Sequence, residues 1–303
     1  MSSKILGTYV NGNTIVVMYE DGTKVRYVRD GEEAAPEFPE SIDLKITNRC
    51  DMGCPMCAEA STKIGGHANL KDPLLDSLHP YTELAIGGGN PLEHPDLEEF
   101  LIRMHDKKIL CNLTVNARHF IDSMHRLHML SDQKLIYGLG VSVPNSIPDG
   151  FFNAVRFFPN VVVHTIAGYT SMEVYDALAD RDLNLLILGF KVKGSGVNYV
   201  SENITQIDDK LADLQRNIMS MTHKFKAVAF DNLAVRQLRL HSVLSKEQMD
   251  KLYMGDDGDF SMYIDLTNYT FAKSSSHSPK AINKTTVSDL FAKVHGKENY
   301  LWQ

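Results

Sequence analysis

The sequence lacks a long apolar run, an excess of positive charge and an abundance of cysteine. Its strongest apolar stretch, residues 183–190, is far shorter than the roughly 18 residues of a membrane span. The first residues contain no apolar segment of the kind that directs secretion. Because 38 acidic residues outnumber 31 basic ones, giving a net charge of -7, no strong nucleic-acid signal is present. These absences predict a cytoplasmic protein with no membrane segment.

The composition is that of an ordinary globular protein. Hydrophobic residues make up 43% of the chain and charged residues 23%, which excludes disordered and disulfide-scaffold classes. A chain of 303 residues forms one large domain with an appendage, or two domains. A core of this size folds without a metal, so any metal site is expected to serve function.

Three segments of different pattern follow one another. Residues 1–40 contain three β-rich stretches separated by Asn11-Gly12 and Asp21-Gly22, which are typical hairpin turns, and then an acidic linker with two prolines. This segment is predicted to form a small β-meander. Residues 201–303 contain a long amphipathic helix, strands near 225–230 and 260–266, and a short last helix, which together predict an α+β extension.

The middle segment, residues 41–200, alternates short strands with helices. The strand-like stretches are residues 41–47, 83–86, 109–114, 136–143, 161–166 and 185–190. Helices are predicted between most of them, for example over residues 95–107 and 120–130. This alternation predicts an α/β fold with a parallel sheet, either curved into a full or partial barrel or doubly wound.

Three of the four cysteines lie directly after the first of these strands. Cys50, Cys54 and Cys57 have the spacing Cx3Cx2C, and three thiols this close cannot all pair among themselves, while Cys111 is far along the chain. In a reducing compartment such a cluster indicates metal ligation. The spacing favours an iron–sulfur cluster, in which three ligands leave one of four irons open. A zinc site completed by Cys111 or His67 is the alternative.

The strand over residues 41–47, the Thr47-Asn48 pair and the cysteine loop resemble the radical S-adenosylmethionine superfamily. The resemblance implies that Cys50, Cys54 and Cys57 hold a [4Fe–4S] cluster whose fourth iron binds S-adenosylmethionine. It also implies a partial, open parallel (β/α)6-type barrel over residues 41–200. Residues 201–303 would then close the substrate side.

Further positions resemble those that bind S-adenosylmethionine in that family. They follow successive strands, and glycines among them let the backbone approach the methionyl amino group. The implied contacts are Met56, Gly87, Gly88, Gly89, Asn90, Asn116, Ser142, Ile166 and Lys191. Lys191 has a second interpretation, in which it joins Lys193 and the Gly194-Ser195-Gly196 turn in holding a phosphate or carboxylate of the substrate.

The resemblance implies an oxygen-sensitive enzyme that receives an electron from a donor such as flavodoxin or ferredoxin. It cleaves S-adenosylmethionine to a 5′-deoxyadenosyl radical, which abstracts hydrogen from a substrate. The sequence assigns no side chain a catalytic role and no reaction subclass. A small metabolite or nucleotide is favoured as substrate, because the remaining cysteine cannot form the auxiliary cluster of many peptide-maturing members. An activase acting on a protein or peptide partner, and a non-catalytic zinc or iron–sulfur module, are the alternatives.

Overall fold

The computed structural model describes residues 4–158 and 160–295, which form two separate β-sheets. The smaller sheet is antiparallel and contains β1 (Ile5–Asn11), β2 (Thr14–Tyr19) and β3 (Lys24–Tyr27) in chain order. Gly12 and Gly22 have positive φ at the two turns, as the hairpin pattern requires. The predicted N-terminal meander is therefore confirmed.

The larger sheet has ten strands, and eight of them are parallel. From β4 to β10 each strand lies beside the strand that precedes it in the chain. In a doubly wound sheet the order of the strands would reverse partway through the sheet. The α/β partial barrel is therefore confirmed. The strands are β4 (Ser41–Thr47), β5 (Glu83–Gly88), β6 (Leu110–Asn116), β7 (Gly138–Ser142), β8 (Val161–Ile166), β9 (Asn184–Leu188), β10 (Ala227–Phe230), β11 (Ser261–Asp265), β12 (Thr270–Ala272) and β13 (Lys280–Ala281).

Ten helices in the described part of the chain accompany these strands. The helix predicted over residues 120–130 is two helices, which meet at Ser123. None of the described helices is long and apolar enough to cross a membrane. The helices are α1 (Leu97–Asp106), α2 (Ala117–Asp122), α3 (Met124–Asp132), α4 (Phe151–Val155), α5 (Met172–Leu178), α6 (Gly196–Thr222), α7 (Asn232–Gln237), α8 (Leu240–Val243), α9 (Lys246–Leu252) and α10 (Val287–Ala292).

Strand β4 shows how the sheet separates its two faces. Ile42, Leu44 and Ile46 are buried in the main apolar core, where they pack with residues of the crossover helices. Asp43 and Lys45 point the other way, because side chains alternate across a strand. They line a central cavity of about 570 Å³ inside the barrel. The interior thus holds charged side chains, unlike the apolar outer layer.

The N-terminal meander packs against the amino ends of the barrel strands. Tyr9 and Phe38 form an apolar cluster with Leu110, the first residue of β6. Arg26 binds the buried Glu40 carboxylate just before β4, at 2.8 Å from its Nη2 to Oε2. Residues of β1 and β2 line the central cavity at this end. The carboxyl ends of the strands therefore frame the opposite end.

The C-terminal segment joins both edges of the same sheet. Strand β10 pairs with β9, and β11 pairs in parallel with β4, at the other edge of the six central strands. Residues 296–303 of the predicted extension and residues 1–3 of the predicted meander segment lie outside the described residues. The domain boundaries at residues 40 and 200 stay predictions.

Candidate functional site

The cysteine loop begins where β4 ends and is held in place by backbone hydrogen bonds. The Cys50 N–H donates to the Thr62 carbonyl at 2.9 Å, and the Cys57 N–H donates to the Cys54 carbonyl at 3.1 Å. The turn after β9 also takes part, because the Ser195 N–H donates to the Cys57 carbonyl at 2.9 Å. The loop is therefore fixed at both the β4 and the β9 sides of the barrel mouth.

Two glycines let neighbouring backbone approach this loop. A Cβ on Gly194, whose φ is +58°, would lie 2.7 Å from the Cys57 carbonyl oxygen. A Cβ on Gly89 would lie 2.2 Å from the Arg49 carbonyl oxygen. Both distances are far below van der Waals contact. The Gly194-Ser195-Gly196 turn, for which the sequence suggested anion binding, thus packs directly on the cysteine loop.

Gly194→Ala is expected to weaken the hold on the cysteine loop. The new methyl group would collide with the Cys57 and Ala58 carbonyls, and the left-handed backbone is itself unfavourable for alanine. We expect iron retained after anaerobic reconstitution and desalting to fall at least about threefold, since strain of this kind costs about 1–3 kcal/mol. Gly150→Ala is the matched control, because Gly150 has φ +82° and no atom near its Cβ position. Equal iron contents in the two variants would contradict the prediction.

The three clustered thiols are partly exposed and influence one another. Burial raises the pKa of Cys50 and Cys54, and the charge on Cys57 raises the pKa of both further. Free thiolates are therefore disfavoured here. A bound metal reverses this penalty, because it supplies the compensating positive charge. The donor set fits a group that is ligated by thiolates.

The structure argues against a zinc site completed by Cys111. Cys111 is 1% exposed, and it lies in the apolar core five residues before Asn116 at the end of β6. Five residues of strand span about 16 Å, so Cys111 lies about that far from the carboxyl end of β6, where the cysteine loop lies. His67, the other proposed ligand, hydrogen bonds through Nδ1 to Thr47 Oγ1 at 2.9 Å. The version of the zinc alternative that Cys111 completes is therefore disfavoured, because its strand places Cys111 at the other end of β6.

The spacing of the sulfur atoms also bears on the type of metal centre. In the described part of the chain, the three-residue group whose ligand atoms lie within 4.8 Å of one another is Cys50, Asp51 and His119. The three cysteines do not form such a group. In a tetrahedral zinc site with Zn–S bonds near 2.3 Å, sulfur atoms lie about 3.8 Å apart. At least two of the three sulfur atoms therefore lie further apart than the sulfur atoms of a tetrahedral zinc site.

A second cavity of about 340 Å³ lies beside the cysteine loop at the barrel mouth. Its lining includes Cys54 and Met56 from the loop, Asn116 at the end of β6, and Ser142 at the end of β7. Ile166 packs with Cys54 and Met56 in one apolar cluster. Three predicted S-adenosylmethionine contacts thus line one cavity, and a fourth lies behind its apolar wall.

The remaining predicted contacts lie elsewhere. Gly87 and Gly88 line the central cavity, as does Lys191, whose Nζ donates to Ser275 Oγ at 2.6 Å. Gly89 packs against the Arg49 carbonyl of the cysteine loop. Asn90 is 7% exposed, and its Oδ1 accepts the Leu92 N–H at 3.2 Å at the start of a short 3-10 turn. The structure therefore uses Asn90 to begin that turn.

The sequence reasoning missed a group of charged residues inside the barrel. Lys45 lies 2.7 Å from Glu59, two residues after Cys57, and 3.2 Å from Asp265 on β11. Tyr263 and Asp43 line the same cavity. The sequence held one indication of this group, the two charged residues Asp43 and Lys45. They alternate with the apolar residues of a buried strand, and side chains that alternate in this way face the opposite side of the sheet, here the interior of the barrel.

Comparisons with known proteins identify the fold. No protein-family model matches the chain, and no curated protein does. Among solved structures, Streptococcus suis SuiB bound to the precursor peptide SuiA is 14% identical and has a TM-score of 0.62, with 96% of this chain and 88% of that chain covered. SuiB bound to S-adenosylmethionine is 12% identical and has a TM-score of 0.56, with 89% of this chain and 81% of that chain covered. This chain therefore has the fold of SuiB.

Proposed function

We propose that this chain is a radical S-adenosylmethionine enzyme. In this proposal Cys50, Cys54 and Cys57 ligate a [4Fe–4S] cluster, and S-adenosylmethionine occupies the second cavity. The observation that carries it is the position of the three cysteines, on one loop at the carboxyl ends of parallel strands and beside the second cavity, which Cys54 lines. The SuiB fold, which in one structure holds S-adenosylmethionine, supports the same conclusion.

The residues around the second cavity have distinct tasks in this proposal. Met56, supported by Ile166 behind it, provides an apolar surface for the adenine ring, and Asn116 and Ser142 offer polar atoms to the ribose or carboxylate. When bound, the cluster supplies the electron that cleaves S-adenosylmethionine to methionine and a 5′-deoxyadenosyl radical. Tyr169 also lines this cavity, and Phe190 packs with Met56 and Tyr169 in one buried cluster that keeps water from this wall.

We further propose a peptide as the substrate, in preference to a small metabolite or nucleotide. A structure of SuiB with a precursor peptide covers 96% of this chain, and this supports the peptide alternative. The lack of further clustered cysteines argues only against an auxiliary cluster. A cavity of about 570 Å³ can admit a side chain from a segment lying across the barrel mouth. A flavodoxin or ferredoxin in a reducing, cytoplasmic compartment would supply the electron.

The proposal is tested by anaerobic turnover. The purified chain is reconstituted with iron and sulfide, mixed with dithionite and S-adenosylmethionine, and assayed for 5′-deoxyadenosine by mass spectrometry. We expect product that increases when a pool of synthetic peptides is added and does not increase with a pool of nucleotides and metabolites. Cleavage stimulated only by the metabolite pool would overturn the peptide assignment. A loaded cluster with no cleavage under any condition would overturn the radical chemistry.

Ser142→Phe is expected to weaken binding of S-adenosylmethionine specifically. The larger ring would fill part of the second cavity, and overpacking of this kind costs about 1–3 kcal/mol. We expect the Kd for S-adenosylmethionine to rise about tenfold or more with the iron content unchanged. Isothermal titration calorimetry of the reconstituted protein measures the Kd, and iron analysis measures the iron content. Ser242→Phe, at an exposed position on α8, is the matched control and should bind as the parent chain does. An unchanged Kd for Ser142→Phe would place the cofactor elsewhere.

A further inference from the structure

Three metal-binding side chains from two segments of the chain meet at the start of the cysteine loop. Within residues 4–158 and 160–295, the group of three such residues whose ligand atoms all lie within 4.8 Å of one another is Cys50, Asp51 and His119. Cys50 is partly exposed, Asp51 is exposed and His119 is buried. Solvent therefore reaches the group from the Asp51 side, while His119 closes it on the protein side.

His119 is held in place by the barrel. It belongs to α2, which begins where β6 ends, and the Asn116 side chain caps this helix by accepting the Arg118 N–H at 2.9 Å. The next residue, Phe120, is buried in the main core. The His119 side chain is 10% exposed, and its Nε2 lies 2.6 Å from Asp51 Oδ1. The imidazole is thus a fixed point to which the cysteine loop brings the other two ligands.

A thiolate, a carboxylate and an imidazole together form a donor set for a divalent transition metal. In a tetrahedral site with bonds of about 2.0–2.3 Å, neighbouring ligand atoms lie about 3–4 Å apart, so this group needs to close by only about 1 Å around an ion. The exposed side chain of Asp51 can make that movement. Three protein ligands leave the fourth position to water, as in open metal sites. The three cysteines do not meet the same distance limit.

We propose that Cys50, Asp51 and His119 bind one divalent metal ion in the cluster-free chain, and that Fe²⁺ held there is the first iron of cluster assembly. The assembly role rests on the proposed function, whereas the metal site does not. On binding, the Cys50 thiol releases its proton to solvent, and one ring nitrogen of a neutral His119 takes the metal while the other carries the ring proton. The iron stays Fe²⁺, so the step needs no electron. Because Cys50 serves both sites, the single ion and the complete cluster exclude each other.

The test titrates the reduced, cluster-free chain with Co²⁺ under anaerobic conditions. We expect one Co²⁺ per chain, with a thiolate-to-cobalt absorption band whose intensity corresponds to one thiolate. His119→Ala and Asp51→Asn should each weaken Co²⁺ binding at least about tenfold, since even the loss of a group that only orients a ligand costs about 10–100-fold. Asp51→Asn changes an exposed side chain and therefore reports on the site without disturbing the core. His125→Ala, at an exposed position on α3, is the matched control and should bind Co²⁺ as the parent chain does.

The other cysteines decide between this site and one formed by the three thiols. We expect Cys54→Ala and Cys57→Ala to keep the Co²⁺ site and Cys50→Ala to lose it. Loss of binding in Cys54→Ala, a band that corresponds to three thiolates, or unchanged binding in His119→Ala would overturn the site.

Zn²⁺ tests the role in assembly, because it binds such ligands more tightly than Fe²⁺ does. One equivalent of Zn²⁺ added before iron and sulfide should slow formation of the brown chromophore severalfold in the parent chain, and less in Asp51→Asn. Equal rates with and without Zn²⁺ would overturn the assembly role, even where the Co²⁺ results support the site. These readouts do not depend on cleavage of S-adenosylmethionine, so failure of the radical chemistry and failure of this inference are distinguishable.

Discussion

Replacing Cys50, Cys54 or Cys57 with alanine is expected to abolish the brown iron–sulfur chromophore and the formation of 5′-deoxyadenosine. Loss of a partner that only orients a metal ligand costs about 10–100-fold in affinity or activity. Loss of a ligand itself should therefore lower turnover by more than about 100-fold. Iron content, the visible absorption spectrum and product yield under anaerobic conditions measure the effect.

Cys111→Ala is the matched control for these three variants. Cys111 lies in the core of β6, away from the cysteine loop, so its loss should cost some stability and leave the cluster intact. Burial strongly raises the pKa of this thiol, which makes it a poor metal ligand. Full turnover in a Cys54→Ala protein with its iron quantified would contradict the assignment. Loss of the chromophore in Cys111→Ala at an unchanged Tm would do so as well.

Lys45→Met is expected to lower the free energy of unfolding by about 3–5 kcal/mol. Lys45 is 5% exposed and neutralises the buried Asp265 carboxylate at 3.2 Å and the partly exposed Glu59 carboxylate at 2.7 Å. Removing one member of a buried ion pair leaves its partner charged and desolvated, which costs energy of this size. Because Glu59 follows Cys57 by two residues, we also expect weaker cluster retention. Urea unfolding of the iron-free protein measures the stability, and iron analysis measures the retention.

The control for this variant removes an ion pair of the same chemistry at the surface. Lys71 lies 3.2 Å from Glu99, but both side chains are more than half exposed. Exposed pairs contribute little because water and salt screen them, so Lys71→Met should change the free energy of unfolding by less than about 1 kcal/mol. Similar losses in Lys45→Met and Lys71→Met would show that the interior network does not stabilise the fold.

The sequence predicts the local elements well where the pattern has a single physical cause. The strands of the barrel are recognisable because they are short apolar runs between turns, and the meander is recognisable by its two Asn-Gly and Asp-Gly turns. The break at Ser123 was missed because the helical pattern continues through it. Asn90 stays a predicted cofactor contact, and its side chain also begins a short 3-10 turn, as is typical of Asn followed by Pro.

Contacts between distant segments were beyond the sequence reasoning. The pairing of β11 with β4 depends on three-dimensional packing, and no periodicity of either strand indicates the other. The same is true of the Lys45 network, whose members come from β4, the cysteine loop and β11. The cysteine loop could be predicted because its ligands are local in sequence. The substrate cavity could not, because its walls come from the whole chain.

The parallel pairing of β4 with β11 has a consequence for how the protein matures. Strand β4 precedes the cysteine loop directly, yet one of its two neighbours is made only when synthesis reaches residue 265. During translation the thiols of Cys50, Cys54 and Cys57 therefore emerge long before β11 is available. Only β11 covers the free edge of β4 and brings Asp265 to Lys45. Contacts of such long range form late in folding. Cluster insertion is accordingly expected to follow the synthesis of β11.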